Sequence, residues 1–166
     1  MTESLRSRLR RWGFNLFPAY RGSGARVTHL ADDFREVRIR LPLNWRTRNY
    51  VGTIFGGSMY SAVDPVYMIM LIQNLGPAYV VWDKSASIRF RKPARDVLTA
   101  RFVLDEAELD AIRVAVAESG RVDRCYRVSL RDAAGDVCAE VEKTVHVADK
   151  ALWKARQAAE SANPSG

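Results

Sequence analysis

Between Arg48 and Asp83 the chain carries one formally charged side chain, Asp64, set among Met59, Tyr60, Ala62, Val63, Val66 and Tyr67. Taking an unpaired carboxylate out of water costs several kcal/mol. The usual response is a raised pKa, which moves the group toward the range where a general base works. Pro65 follows at once, removing the backbone donor owed to Ser61 and predicting a helix kink beside the acid. The structural alternative is an aspartate satisfied by the hydroxyls of Ser61, Tyr60 or Tyr67. Gly56 and Gly57 precede Asp64 by eight and seven residues. Glycines at a helix start let a ligand reach N–H groups that the helix leaves unpaired. With the helix dipole, such groups stabilise a phosphate or a developing oxyanion. Glycines and acid together read as an electrophile holder and a base on one helix.

That helix is the stretch Gly56–Leu75, apolar almost all round and stopped by Gly76-Pro77. A helix apolar on every side is expected to be buried. Around it the pattern is period two. Val37, Ile39 and Leu41 alternate with Arg38 and Arg40, and a strand near Arg26–Leu30 pairs with them through the turn at Ala31-Asp32-Asp33. Strands follow at Tyr79–Arg91 and Val97–Leu104, then a short helix Glu106–Glu118 capped by Asp105 and ended by Gly120. Two more alternating strands, around Val122–Leu130 and Val137–Val147, are joined through Asp132–Asp136. One buried helix among antiparallel strands fits an α+β fold, a curved antiparallel sheet wrapped around it. Edge strands of such a sheet invite a second copy, which predicts a dimer.

The N-terminal segment places Leu5, Leu9, Trp12, Leu16 and Phe17 at helical spacing with arginines between them, and ends at Gly13 or Pro18. It reads either as an anchor on an anionic membrane surface or as a helix laid over the body. Up to Arg21 it holds five arginines against Glu3 alone, much of the net charge of +7. That charge favours anionic partners without naming one. Nucleic-acid binding is not expected, because aromatic interleaving and a recognition helix are absent. No run approaches the roughly 18 apolar residues of a membrane span. A secretory signal is not expected either, and two cysteines, Cys125 and Cys138, form no disulfide framework and no metal-ligand spacing. A reduced cytoplasm and no metal are the expectation. His29 and His146 have no acid partner at motif spacing and, with both cysteines, read as structural.

The segment Asn49–Asp64 resembles the hotdog-fold acyl-CoA thioesterases of the phenylacetate-degradation (PaaI-like) type. Those sequences read Asn, His-Gly-Gly six residues on, and an Asp about two helical turns later. They continue with a strand ending in an aromatic, two residues and Pro-Ala, as Phe90-Arg91-Lys92-Pro93-Ala94 does. The likeness covers Ala25–Ala148 and lies nearest a branch in which the small helix at Glu106–Glu118 is typical. It implies a hotdog domain over 25–148, which the residue pattern flanks with a helix and linker over 1–24 and a short helix with a polar tail over 149–166. It also implies homodimers or homotetramers with active sites at the dimer interface. Carried over, the Gly56 N–H polarises a thioester carbonyl and Asp64 is general base or nucleophile. Asn49 positions substrate or water, Gly57 and Phe55 line the substrate site, and the phosphates of coenzyme A lie on Arg89, Arg91 or Lys92. Two positions depart from the pattern. Phe55 stands where the His is expected, and Asp83 stands where a Ser or Thr is supplied by the other subunit. If Asp83 came near Asp64, the like charges would raise one pKa.

The expected function is therefore hydrolysis of a small or medium acyl, or aryl, thioester of coenzyme A. No cofactor is needed, since coenzyme A belongs to the substrate. The alternative, favoured by Phe55, is a non-catalytic acyl-CoA binding protein.

Overall fold

A computed structural model describes residues 4–162. Its elements run α1 (Leu5–Leu16), α2 (Pro18–Gly22), β1 (Arg26–Leu30), β2 (Glu36–Leu41), α3 (Gly56–Val63), α4 (Val66–Leu75) and β3 (Tyr79–Phe90). They continue with β4 (Leu98–Val103), α5 (Glu106–Ser119), β5 (Arg121–Arg131), β6 (Val137–Asp149) and α6 (Lys150–Ala162). The end of the expected polar tail, from 163 on, lies outside the described residues.

The strands form one antiparallel sheet in the order β1-β2-β4-β5-β6-β3. Alternation sets its inner face: on β2, Val37, Ile39 and Leu41 are buried while Arg38 and Arg40 are exposed. The helix pair α3–α4 lies against that face, α3 touching β2 and β6 and α4 touching β3 and α5. Met59, Ala62, Val63, Val66, Met70 and Leu71 fill the space between. Asp64 and Pro65 break the spine in two, as the proline predicts; the Asp64 N–H still donates to Tyr60 O, and the helix resumes when Ile69 N–H donates to Pro65 O.

The spine is not wholly enclosed, however. Ser61 and Ile72 are exposed, and Met68 and Ile69 are half-buried. One sheet covers one side of a helix, and the apolar residues on the far side stay open in a single chain. The N-terminal helix runs past Gly13 to Leu16 and gives way at Phe17, before Pro18. It is laid over the body by the side that carries Ser7, Phe14 and Asn15, not by the stripe of Leu5, Leu9, Trp12 and Leu16.

β3 has no strand on its outer edge among the described residues. A bulge at Lys84 shifts its register on β6: Asp83 faces Val145, and beyond the bulge Ala86 faces Lys143 and Phe90 faces Ala139. Directly opposed residues share a face, and Val145, Lys143 and Ala139 are all buried. The inward set on β3 is thus Val81 and Asp83 before the bulge, and Ala86, Ile88 and Phe90 after it.

Candidate active site

The inward parity of β3 and the helix kink bring Asp83 and Asp64 to one cation. Lys143 Nζ lies 2.7 Å from Asp64 Oδ1 and 2.7 Å from Asp83 Oδ2, and it also donates to the backbone carbonyl of Asp64. Tyr60 Oη donates to Asp64 Oδ1 at 2.8 Å. The helix supplies Asp64 and Tyr60 one turn apart, β6 supplies Lys143 and β3 supplies Asp83. Lys143 is 3 % exposed, against 26 % for Asp83 and 40 % for Asp64.

The expectation of an isolated, desolvated Asp64 is therefore corrected. The carboxylate is paired, and its side chain reaches solvent. Both of its side-chain hydrogen bonds end on Oδ1, which leaves Oδ2 uncommitted among the described residues. The hydroxyl expected from Tyr60 is there, whereas Tyr67 stacks on Tyr126 instead. Desolvation falls on Asp83. Burial pushes its carboxyl above the usual 3.8, Lys143 opposes that shift, and the nearby Asp64 charge adds to it. Asp83 Oδ1 is buried without a partner among the described residues. Burial and the bond to Asp64 push the Tyr60 phenol up to about 12, so it stays a donor at neutral pH.

A second group sits elsewhere. A cleft of about 510 Å³ is lined by Asn49, Thr53, Gly56, Phe90, Lys92 and Arg95 among others, and neither Asp64 nor Asp83 reaches it. No side chain among the described residues caps the start of α3. The Phe90 ring lies so close to Gly56 that a Cβ there would stand 2.7 Å from it, and the Phe55 ring would stand 2.3 Å from a Cβ on Gly57. Both glycines are thus needed for aromatic rings to close over the helix start. Phe55 itself is exposed and not part of the cleft lining.

Asn49 is tied into its own turn. Its Oδ1 accepts from the N–H of Val51 at 3.1 Å and of Thr53 at 2.9 Å, and its Nδ2 donates to Thr53 Oγ1 at 2.8 Å. One amide hydrogen remains for a ligand. The cationic positions divide as well. Arg89 faces Glu140 on the outer side of the sheet, away from the cleft. Arg91 pairs with Glu140, and Lys92 with Asp132 and Asp136. Arg95 lines the cleft with no ion pair among the described residues, a position that the sequence reading does not single out.

Lys143 is the other residue missed, and a signal for it exists. The core-facing series Ala139, Val141, Val145, Val147 on β6 has a lysine at the one skipped position. A charge on the buried parity of a strand carries the same information as a charge inside an apolar helix. His146, read as partnerless, has an acid directly across the strands: Asp123 Oδ1 is 2.5 Å from its Nδ1.

The same arrangement of sheet and helix recurs in solved structures. A Pseudomonas aeruginosa protein of unknown function, PA5026, described as a probable thioesterase, matches with a TM-score of 0.75 at 21 % identity, over 86 % of this chain and 95 % of that one. Thioesterase HI1161 from Haemophilus influenzae matches at 0.62 and 14 % identity, over 90 % and 92 %. Thioesterase superfamily member 2 from Mus musculus matches at 0.62 and 15 %, over 86 % and 98 %. At these identities the likeness establishes the fold, which is the hotdog fold. Among curated proteins none matches the sequence. The family model described as "Domain of unknown function (DUF4442)" matches residues 6–147, and the chain belongs to that family.

Proposed function

We propose that the protein is an acyl-CoA thioesterase acting on a small or medium acyl, or aryl, thioester. The observation that carries this reading is the state of Asp64: a carboxylate held at a helix kink by Oδ1 alone, with Oδ2 uncommitted and the side chain open to solvent. The names borne by the similar structures support it.

At about 1.5 Å rise per residue, the eight residues from Gly56 to Asp64 span about 12 Å of helix. That is too far for both to act on one carbonyl, so a base and an oxyanion donor on one helix of one chain cannot work together. The reading accordingly requires two subunits, with Gly56 of one facing Asp64 of its partner. The free edge of β3 and the exposed Val51, Phe55 and Phe90 around the helix start offer the surface on which a second copy would pair.

In the reaction, the Asp64 carboxylate takes a proton from water as the water oxygen bonds to the thioester carbon. The carbonyl oxygen becomes an oxyanion facing the Gly56 N–H. Collapse breaks the C–S bond, the thiolate of coenzyme A takes up a proton, and the free acid leaves. If Asp64 attacks directly, the same carboxylate forms a mixed anhydride that water then cleaves. Arg95 is the cleft cation left over for a phosphate of coenzyme A, since Arg91 and Lys92 are already paired. No metal or other cofactor enters, and free Cys125 and Cys138 suit a reducing cytoplasm.

The test is thiol release from short, medium, long and aryl acyl-CoAs, with Asp64→Ala beside the wild-type chain. Loss of turnover by about 100-fold or more is expected; turnover that survives Asp64→Ala overturns the assignment. Phe55 in place of a hydrogen-bonding ring and the Asn49 Oδ1 spent on its own turn favour a second reading, a non-catalytic acyl-CoA binder. Tight acyl-CoA binding without turnover on any substrate would select it.

A further inference from the structure

Leu5, Leu9, Trp12 and Leu16 recur along α1 at i, i+4, i+7 and i+11, one stripe of the helix, and with Phe17 they are 57 to 73 % exposed. A surface helix normally turns such a stripe to the core. Here the opposite side does the docking. Ser7 is fully buried, and Ser4 and Ser7 both donate to Asp32 Oδ1. Asn15 Nδ2 donates to Val27 O at 2.9 Å, and the Val27 N–H donates to Asn15 Oδ1 at 2.7 Å. These directional bonds, with Phe14 packed edge-on against Tyr20 on the same side, fix the helix with its apolar stripe outward.

We propose that this stripe seats α1 on a bilayer surface carrying anionic lipid. Charge selects that occupant. Arg6 and Arg8 are exposed on either side of the stripe, and Leu5–Leu16 contains four arginines and no acid. Apolar residues with an aromatic at the centre and a cationic rim match the boundary between anionic headgroups and acyl chains. Two copies of the helix laid stripe to stripe would instead oppose arginine to arginine. The helix also packs on β1, at the end of the sheet opposite β3, so pairing through β3 leaves the stripe uncovered. The proposal is independent of the thioesterase reading.

The experiment mixes the full chain with vesicles of phosphatidylcholine alone, or with phosphatidylglycerol at about 30 %, and measures the sedimented fraction. Binding to the anionic vesicles is expected to be about tenfold or more tighter than to neutral ones and to weaken as salt is raised. Leu9→Glu with Trp12→Glu lowers it about tenfold or more at an unchanged melting temperature, since the altered side chains face solvent. Arg6→Gln with Arg8→Gln lowers it about fivefold per arginine, on anionic vesicles only. Absence of binding to anionic vesicles overturns the proposal, as does binding that Leu9→Glu with Trp12→Glu leaves intact. A fall in the mass of the assembly on Leu9→Glu with Trp12→Glu, without any vesicle effect, marks the stripe as a contact between copies and overturns it equally.

Discussion

Glu108 on α5 meets Arg124 and Tyr126 on β5, while Asp64 at the helix kink meets Lys143 on β6, Asp83 on β3 and its own helix neighbour Tyr60. Each cluster ties a helix to the sheet through an acid, a base and a tyrosine donor. In the first the count closes. Arg124 grips both carboxylate oxygens of Glu108, with Nε at 2.8 Å from Oε1. Burial works against the Glu108 charge, but Arg124 and Tyr126 outweigh it and hold the carboxyl below the usual 4.5. In the second, two acids share one cation, one carboxylate oxygen is buried without a partner and another faces solvent. A closed cluster of this kind stabilises a fold and has nothing left to offer a ligand. An open one costs stability and keeps reactive capacity.

Removing the cation from each cluster separates the two most sharply. Lys143→Met leaves two carboxylates facing each other at the sheet. Because Asp64 is partly solvated, the loss is expected at about 2–4 kcal/mol, below the range for a fully buried pair. Arg124→Met leaves one carboxylate still bonded to Tyr126 and is expected to cost about 1–2 kcal/mol, with acyl-CoA binding and turnover unchanged. Chemical denaturation of the two variants checks the order. Equal losses would mean that the second acid at Lys143 adds nothing, and the contrast between the clusters would fail.

The alternation of Val37, Ile39 and Leu41, the all-round apolarity of the spine and the break at Pro65 made the fold legible, since each is local and follows from a fixed backbone period. Asp64 stood out for the same reason. Its partners did not, because they depend on register. Asp83 shares the inward parity of Val81, but which residues of β6 it meets depends on a register that the bulge at Lys84 then shifts, and nothing in the local sequence dictates that register. Lys143 could have been read from the parity of β6, whereas the ties on Asn49 could not, being set by a turn whose geometry is not periodic. The amphipathic character of α1 was plain, but which side meets the body depended on Asp32 and Val27, fixed by tertiary packing.

The two acids should also answer pH in opposite senses. Asp83 has a raised carboxyl, so the folded chain holds its proton more readily than the unfolded chain. Its contribution is present below 3.8 and fades as pH climbs through the folded value. Glu108 is depressed, and its contribution is present above 4.5 and fades as pH falls through the folded value. Asp83→Asn should therefore gain on the wild-type chain as pH rises from 3.8 through the folded value. Glu108→Gln should fall behind it as pH rises toward 4.5. Denaturation midpoints across that window measure both slopes, and slopes of the same sign would contradict the assignment.

The tyrosines give the finest comparison, because Tyr→Phe removes a hydrogen bond and no charge. Tyr126 is buried between Tyr67 and Glu108. Its loss leaves Glu108 with Arg124 alone, at about 1–2 kcal/mol of stability and no change in turnover. Tyr60 is half-buried and shares Oδ1 of Asp64 with Lys143, so the lysine still anchors the carboxylate when the phenol is gone. Tyr60→Phe should cost about 0.5–1 kcal/mol. If Asp64 is the base, its aim should loosen, and kcat on a good acyl-CoA should fall by about threefold to tenfold while KM stays put. A rise in KM alone would place Tyr60 against the substrate, and no change in either constant would make it as purely structural as Tyr126.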